Sequence, residues 1–376
     1  MGMRILFLCG CLEPGRDGVG DYTRRLAGAL AREGNTMKLI SIQDKFISKS
    51  VVEKQDADGT QLAVLRFRSA VDNYVDNAIV TKYITEFKPD LISFQFVPFS
   101  FHPKGLPSKL GKNLGTMLNG YKVQVMLHEL WVGHAHKWSE KRFWMGLLQK
   151  RIIVKLLKTI KPQLINTHAP YYQFLLEKAG VKVEVLPLFA NIPFVENAKQ
   201  DTAQAADRNT LQTAVIFAGL PTVEEMEKLL TVWERSLIKN EREGKILLVG
   251  RHGGSSDDLL KLITGGFSKI RVAEMGALPV VELSAVLQSA DFGISPVPLV
   301  LSEKSGTISA MKEHGLPVII TRMGRIQPDF SIAKAAGVVF IDNLDAGYFD
   351  ELKKQLPFDG LQLIAQTFSD SIKKLT

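Results

Sequence analysis

Residues 302–317 read Ser-Glu-Lys-Ser-Gly-Thr-Ile-Ser-Ala-Met-Lys-Glu-His-Gly-Leu-Pro, between two strand-like runs at Asp291–Pro296 and Leu316–Thr321. A Lys-Ser-Gly-Thr loop that opens a helix at Gly306 combines free backbone N–H groups, two hydroxyls and one cation, which suits a phosphate-bearing ligand. A second turn of this kind lies near the start of the chain. There Arg4–Cys9 leads into a loop with Gly15, Gly18 and Gly20, and a helix follows from about Asp21. Each half of the sequence thus has its own glycine-containing strand-to-helix turn, and two such halves facing each other would enclose a cleft.

Working outward, short aliphatic or β-branched runs alternate with longer amphipathic ones. In the first half strands are expected at Arg4–Cys9, Met37–Ile42, Leu62–Phe67, Leu91–Phe96, Val123–His128, Leu164–Thr167 and Val183–Leu186. Helices are expected near Asp21–Glu33, Val71–Phe87, Lys104–Asn119, Lys137–Ile160 and Tyr171–Ala179. The chain turns polar and loses its period around Asn191–Thr213, and the alternation then restarts. Strands follow at Ala214–Ala218, Ile246–Val249, Ile270–Ala273, Asp291–Ser295, Pro317–Thr321 and Val338–Ile341, with helices near Glu224–Ile238, Asp257–Ile263, Val280–Gln288, Gly306–Glu313, Ala346–Gln355 and Leu361–Leu375. Strand-helix alternation predicts a mostly parallel, doubly wound sheet in each half. The expected architecture is α/β, with residues 1–190 and 213–376 as two domains, 191–212 as a polar connector, and the last helix returning to the first domain.

Bulk properties agree with two cores. The chain has 376 residues, 45% hydrophobic and 23% charged, a globular composition long enough for two domains. No apolar run approaches the roughly 20 residues that span a bilayer, and the start enters a strand without a signal-peptide pattern, so a cytoplasmic protein is expected. Cys9 and Cys11 are too close in sequence for an unstrained mutual disulfide and lack a second pair for zinc, which leaves two reduced thiols. Net charge is +8, and eight basic residues against Glu140 fall between Lys137 and Lys161. Arg151, Lys155 and Lys158 share one helical face there, behind Trp138, Phe143 and Trp144. Helices of that kind dock peripherally on anionic membranes, here the inner face; a core-packed helix with a solvated basic face reads the same way. No nucleic-acid motif accompanies the patch.

Ligands of open α/β sheets bind beyond the carboxyl ends of the strands, so the residues just after each strand are the candidates. Lys304, Ser305, Gly306 and Thr307 form the best phosphate site, although Ser305 or Thr307 could simply cap an ordinary helix. Arg251, between Gly250 and Gly253, could reach the same phosphates with its planar fork, or be a solvated turn residue. His128 ends an apolar strand next to Glu129 and Trp131, where it could bond a sugar hydroxyl or move a proton; a satisfied core histidine is the plain alternative. Gln95 and Phe96 end the strand before it. His168 and His134 lie at similar junctions with less support, and His102, His136, His252 and His314 are read as structural or surface residues. Gly15–Gly20 has neither the Gly-x-Gly-x-x-Gly spacing of a dinucleotide site nor a Walker loop, which argues against a nicotinamide or ATP site.

In order along the chain, Gly18-Val-Gly-Asp-Tyr-Thr-Arg-Arg-Leu, Leu127-His-Glu-Leu-Trp, Leu186-Pro-Leu-Phe-Ala-Asn-Ile-Pro, Gly293-Ile-Ser-Pro, Lys304-Ser-Gly-Thr and His314-Gly-Leu-Pro-Val-Ile resemble group 1 glycosyltransferases of the GT-B fold. That resemblance implies two Rossmann-like domains, a nucleotide-diphosphate sugar held mainly by the second, a carbohydrate or lipid-linked acceptor held mainly by the first, and retaining transfer with neither metal nor further cofactor. It implies that His128 lies near the transferred sugar, that Gly18 and Gly20 approach the donor diphosphate, and that Lys304–Thr307 hold donor sugar and phosphates. Beside them Glu303 is expected to hold sugar hydroxyls as a catalytic residue, and Met275, just after the third strand of the second half, to bind the donor. Two departures stand out. The family's glutamate pair, seven residues apart, is missing, since Met311 stands at the partner position of Glu303. The arginine and lysine expected after the first strand of the second domain are replaced by Gly219-Leu-Pro-Thr-Val-Glu-Glu. A catalytically silent nucleotide- or sugar-binding protein, or a GT-B epimerase or phosphorylase, is the alternative.

Overall fold

The computed structural model describes residues 2–68, 78–196, 210–251, 256–331 and 336–375. The chain divides into two units: Met1–Pro187 with Arg325–Phe330 and Leu361–Thr376, and Leu188–Gly324 with Ser331–Gly360.

The first unit runs β1 (Arg4–Cys9), α1 (Gly18–Arg32), β2 (Thr36–Ser41), β3 (Val51–Ala57), β4 (Thr60–Arg66), α2 (Ala78–Phe87), β5 (Leu91–Phe96), α3 (Pro98–Phe101), α4 (Leu110–Met117), β6 (Val123–Leu127), α5 (Lys141–Ile160), β7 (Leu164–Thr167), α6 (Pro170–Glu177) and β8 (Glu184–Val185). Its sheet has the order β3-β4-β2-β1-β5-β6-β7-β8. The β3–β4 pair is antiparallel and the other pairs are parallel. β5 and β6 are buried along their whole length, because helices cover both faces of a parallel sheet.

The second unit runs β9 (Leu211–Phe217), α7 (Val223–Lys239), β10 (Glu243–Val249), α8 (Ser256–Gly266), β11 (Ile270–Gly276), α9 (Val280–Ser289), β12 (Phe292–Ser295), a 3-10 helix (Leu299–Lys304), α10 (Gly306–Glu313), β13 (Val318–Ile320), β14 (Val338–Phe340) and α11 (Tyr348–Glu351). Its sheet is parallel throughout in the order β11-β10-β9-β12-β13-β14. At its centre Trp233 of α7 packs edge-on to Phe292 and stacks with Phe349. The buried indole N–H donates to Gln212 Oε1 at 2.6 Å, as a buried Trp needs. The final helix α12 (Gly360–Lys373) belongs to the first unit from Leu361 onward, where Phe368 lies against Phe7 and Ser369 donates to Glu33 at 2.7 Å.

Several elements differ from the sequence expectation. β3 was not expected; it pairs with β4 through a turn at Asp58 and Gly59, both at positive φ, which is the Asp-Gly geometry of a tight hairpin. α4 starts at Leu110 rather than Lys104, because Pro107 lies in the stretch expected to start it. α11 is one turn long instead of spanning Ala346–Gln355. The expected helix from Val71 is observed from Ala78, and residues 69–77 lie outside the described residues. The unit boundary falls at Pro187/Leu188, and β9 begins at Leu211, inside the 191–212 connector. Leu188–Ala190 is pinned to α10: Ala190 N–H donates to Glu313 Oε1 at 2.6 Å, and Ser309 Oγ donates to the Leu188 carbonyl at 3.1 Å.

Candidate functional site

In the second unit the strand ends present a row of candidates. Gly250, at φ 121°, donates its N–H to the Gly276 carbonyl at 2.8 Å, which ties the ends of β10 and β11 together and sets exposed Arg251 and Met275 on neighbouring strands. β9 lies between β10 and β12. Arg251 and the Lys304 turn are therefore offset by two strand spacings, about 10 Å, a separation a diphosphate and an arginine side chain can bridge. At the end of β9, Ala218 has φ 72°, a backbone that an L-residue adopts only at a cost.

After β12 the chain forms the 3-10 helix, unforeseen in the sequence, and then turns into α10. The Leu299 N–H donates to the Arg322 carbonyl at 2.9 Å, which fixes this segment to the end of β13. Ser305 is the N-cap of α10: its Oγ accepts from Ile308 N–H at 3.4 Å and lies 2.9 Å from Thr307 Oγ1. The cap takes one N–H of the first turn, so Gly306 and Thr307 are the residues whose N–H groups the helix start can offer. Lys304, Ser305, Gly306 and Thr307 are all half-buried. Glu303 is half-buried too, and burial raises its pKa above the ordinary carboxylate value while Lys312 pulls the other way.

The two sequence departures have structural explanations. Met311 is fully buried on α10, and a Cβ built on Gly293 of β12 would meet its Sδ at 2.2 Å, so the side chain at this position packs on the sheet. Glu225 completes a capping box with Thr222, and its carboxylate also bonds Arg322 Nε at 2.9 Å and Thr321 Oγ1 at 3.1 Å. Burial opposes its charge, but Arg322 and the Thr222 N–H outweigh that and lower its pKa. The acid after β9 thus ties the β9–α7 turn to the end of β13. Similarly, His314 is buried with Nδ1–H donating to the Ala310 carbonyl at 2.7 Å and Nε2 facing Ser284 Oγ at 2.9 Å. Burial, the largest influence, lowers its pKa, and the residue is structural.

In the first unit, Gly20 meets the backbone. A Cβ there would lie 2.6 Å from the Cys11 carbonyl, whereas one at Gly18 meets open space. The α1 terminus already holds a carboxylate, since Asp17 Oδ1 accepts from Gly20 N–H at 2.8 Å. A diphosphate approaching this turn therefore meets an acid rather than bare N–H groups. Cys9 and Cys11 are free and buried. Burial, aided by Asp44 and Asp17, pushes the Cys11 thiol up to about 12, and Cys9 is raised likewise, so both are poor nucleophiles.

His128 is 6% exposed, and both ring nitrogens are engaged: Nε2 with Gln95 Oε1 at 2.8 Å and Nδ1 with His168 Nε2 at 2.9 Å. Tyr22 of α1 stands edge-on to both imidazoles, which brings the Gly18–Tyr22 turn and His128 together. Sequence reasoning assigned the Gln95–His128–His168 connection to no one of these residues. The signal was Ser93, Gln95, Gln124 and Asn166, polar side chains inside otherwise apolar central strands, each of which needs a buried partner. Among the described residues no group of three His, Cys, Asp or Glu side chains is placed to hold a metal ion, and no helix is long and apolar enough to cross a membrane.

No protein-family model and no curated protein matches the sequence. Solved structures do match along the whole chain. A putative UDP-N-acetylglucosamine 2-epimerase from Listeria monocytogenes aligns with TM-score 0.55 at 11% identity, covering 99% of this chain and 96% of its own. The catalytic domain of starch synthase IV from Arabidopsis thaliana, bound to ADP and acarbose, aligns with TM-score 0.53 at 11% identity, covering 100% and 98%. The fold is GT-B. An α,α-trehalose-phosphate synthase (UDP-forming) from Burkholderia xenovorans, in complex with glucose-6-phosphate, aligns with TM-score 0.52 at 10% identity over 99% and 97%. GT-B proteins of different activity thus share this chain's two-unit architecture, and at such identity the likeness concerns the fold.

Proposed function

We propose that the chain is a glycosyltransferase that moves a sugar from a nucleotide-diphosphate sugar to an acceptor hydroxyl. The observation that carries the reading is the Lys304-Ser-Gly-Thr turn at the carboxyl end of β12, opening α10 inside a GT-B fold. A leaving nucleoside diphosphate gains negative charge in the transition state, and preorganised donors and cations are worth most where charge develops. Lys304, the hydroxyls of Ser305 and Thr307, the N–H groups of Gly306 and Thr307 and Arg251 carry that load. Glu303 and Met275 border the sugar and the nucleotide; a part for Gly18, Gly20 and His128 of the first unit rests on the family resemblance alone. Fold relatives crystallised with ADP, or described as UDP-forming, support a nucleotide sugar as donor. A retaining course without a metal or other cofactor rests on the family resemblance alone.

One observation favours a silent binding protein: the position of the family's second glutamate is a core methionine. Incubating the chain with a panel of nucleotide sugars and measuring nucleotide release separates the readings. Release from one donor supports the transferase; binding of a donor with no release under any acceptor condition supports the silent protein.

We further propose that α5 sets the acceptor on a cytoplasmic, anionic membrane surface. Lys141, Trp144, Leu148, Arg151, Lys155 and Lys158, three or four residues apart, form one exposed row, while Ile153, Leu156 and Ile160 pack inward. Trp138 is 73% exposed just before the helix. Each basic residue near such a surface contributes about 1 kcal/mol. Replacing Arg151, Lys155 and Lys158 together with serine is expected to weaken co-sedimentation with phosphatidylserine vesicles by about 100-fold at low salt. Absence of sedimentation of the unaltered chain at low salt would remove the lipid-linked acceptor.

A further inference from the structure

α5 ends at Ile160, and the chain leaves it through Lys161, in the left-handed region at φ 54° and ψ 55°, and Pro162. It then enters β7 at Leu164, while the loop after α6 returns through Gly180, at φ 75°, to β8 at Glu184. Between these two strand entries lies an open cavity of about 550 Å³, a size usual for small-molecule sites. Val154, Ile165 and Val181 are half-buried in its wall, and Leu157, Leu164 and Val183 of the same wall are buried. Lys158, Lys161 and Lys182 line it too, all exposed, together with Gln163 and Glu184. Among the described residues none of these three lysines takes part in an ion pair. The carboxyl terminus of α5 brings about half a negative charge and Glu184 one more, so the lysines leave an excess of about one and a half positive charges. Gln163 Oε1 accepts from Val123 N–H at 2.6 Å, so its amide N–H groups are the donors left to it. The cavity holds the first residues of β7 and β8, roughly 10 Å of strand from the carboxyl ends where such sheets bind substrates.

We propose that this cavity holds an anionic phospholipid with a hydroxylated headgroup. The phosphate pairs with Lys158, Lys161 and Lys182, the headgroup hydroxyls bond Glu184 and the Gln163 amide, and the upper part of an acyl chain covers Val154, Ile165 and Val181. A free phosphate would use only the charges and leave the apolar wall in water, and a neutral lipid would use only the wall. A negatively charged amphiphile uses both. Continuity with α5 selects a membrane as its source. Lys158 is at once a cavity residue and the last of the exposed row that starts at Lys141, so a surface that meets the row also reaches the cavity. Basic pockets of this kind take lipid headgroups. The choice of a membrane lipid rests on the α5 reading; the affinity for an anionic amphiphile does not. Because the cavity lies at the amino ends of the strands, the bound lipid is a tether and not the acceptor.

The test is calorimetric titration of the full chain with dihexanoyl phosphatidylglycerol kept monomeric, repeated on the double variant Lys161→Asn with Lys182→Gln. Asparagine tolerates the left-handed backbone, and both positions are exposed. The unaltered chain is expected to bind the lipid, and the variant to bind it about 10- to 30-fold more weakly, the worth of two basic contacts to an anionic lipid. Dihexanoyl phosphatidylcholine has the chains without net charge, and glycerol 1-phosphate has the charge without chains. Each is expected to bind at least about 10-fold more weakly than phosphatidylglycerol. No binding of phosphatidylglycerol, equal binding of either control ligand, or unchanged binding in the variant overturns the proposal. If the variant does not fold, the control ligands on the unaltered chain decide. Arg151→Ser with Lys155→Ser alters the α5 row alone, so it should weaken co-sedimentation with vesicles and keep the short-chain lipid. Sedimentation of the unaltered chain without short-chain binding removes the cavity site and leaves the row; short-chain binding without sedimentation removes the row and leaves the cavity site standing.

Discussion

Arg66→Met is expected to destabilise the first unit by about 3–5 kcal/mol, the cost of leaving a buried charge without its partner. Asp44 is fully buried, and Arg66 grips it with two bonds, Nε to Oδ2 at 2.8 Å and a terminal nitrogen to Oδ1 at 3.1 Å. Glu13 and Glu53 complete the surroundings of the guanidinium. Burial alone would raise the Asp44 pKa, but the Arg66 bonds and the N–H groups of Phe46 and Leu12 outweigh it and hold the carboxyl below its ordinary value. A depressed folded-state pKa means that this contribution is complete above the unfolded aspartate value of about 3.9 and is lost as pH falls through the lower folded value. Urea unfolding at neutral pH measures the loss. The double variant Asp44→Asn with Arg66→Met should recover much of it, because no charge is then stranded. A single-variant cost under about 1 kcal/mol would show that water solvates the cluster.

Lys304→Ala is expected to lower nucleotide release by about 10²–10³-fold, the usual consequence of removing one preorganised donor to developing charge. Thr307→Ala removes a neutral hydrogen bond and should cost about 1 kcal/mol, or roughly fivefold. Arg251→Lys keeps the charge and loses the fork, so it tests whether bidentate geometry matters. Because Lys304 is half-buried at a helix start rather than in the core, thermal unfolding of Lys304→Ala should stay near that of the unaltered chain. Turnover within threefold of the original would place the leaving group elsewhere.

The periodic parts of the chain were legible. β1, β5 and α10 have the bounds their residues suggested, because a run of buried apolar residues between breakers leaves little freedom. β3 was missed because it is an edge strand, Val51–Ala57, with alternating charges and few buried positions, although Asp58-Gly59 announced the hairpin. The site was legible only in part. The helix start at Lys304–Thr307 could be read from local chemistry, since a cap and its helix are contiguous in sequence. The His128–His168 contact could not, because residues 40 apart meet only through sheet order. Glu225 was visible as an acid where a cation was expected, but its role depends on Arg322, which β13 brings across the sheet edge.

Calorimetric titration of the chain with UDP, ADP and GDP, repeated on Lys304→Ala, tests the central claim most directly. The account predicts that at least one nucleoside diphosphate binds and that the variant binds it about 10–100-fold more weakly, the worth of one charge-assisted hydrogen bond. Binding that the substitution leaves unchanged, or no binding by any of the three, would contradict a pyrophosphate grip at the turn into α10.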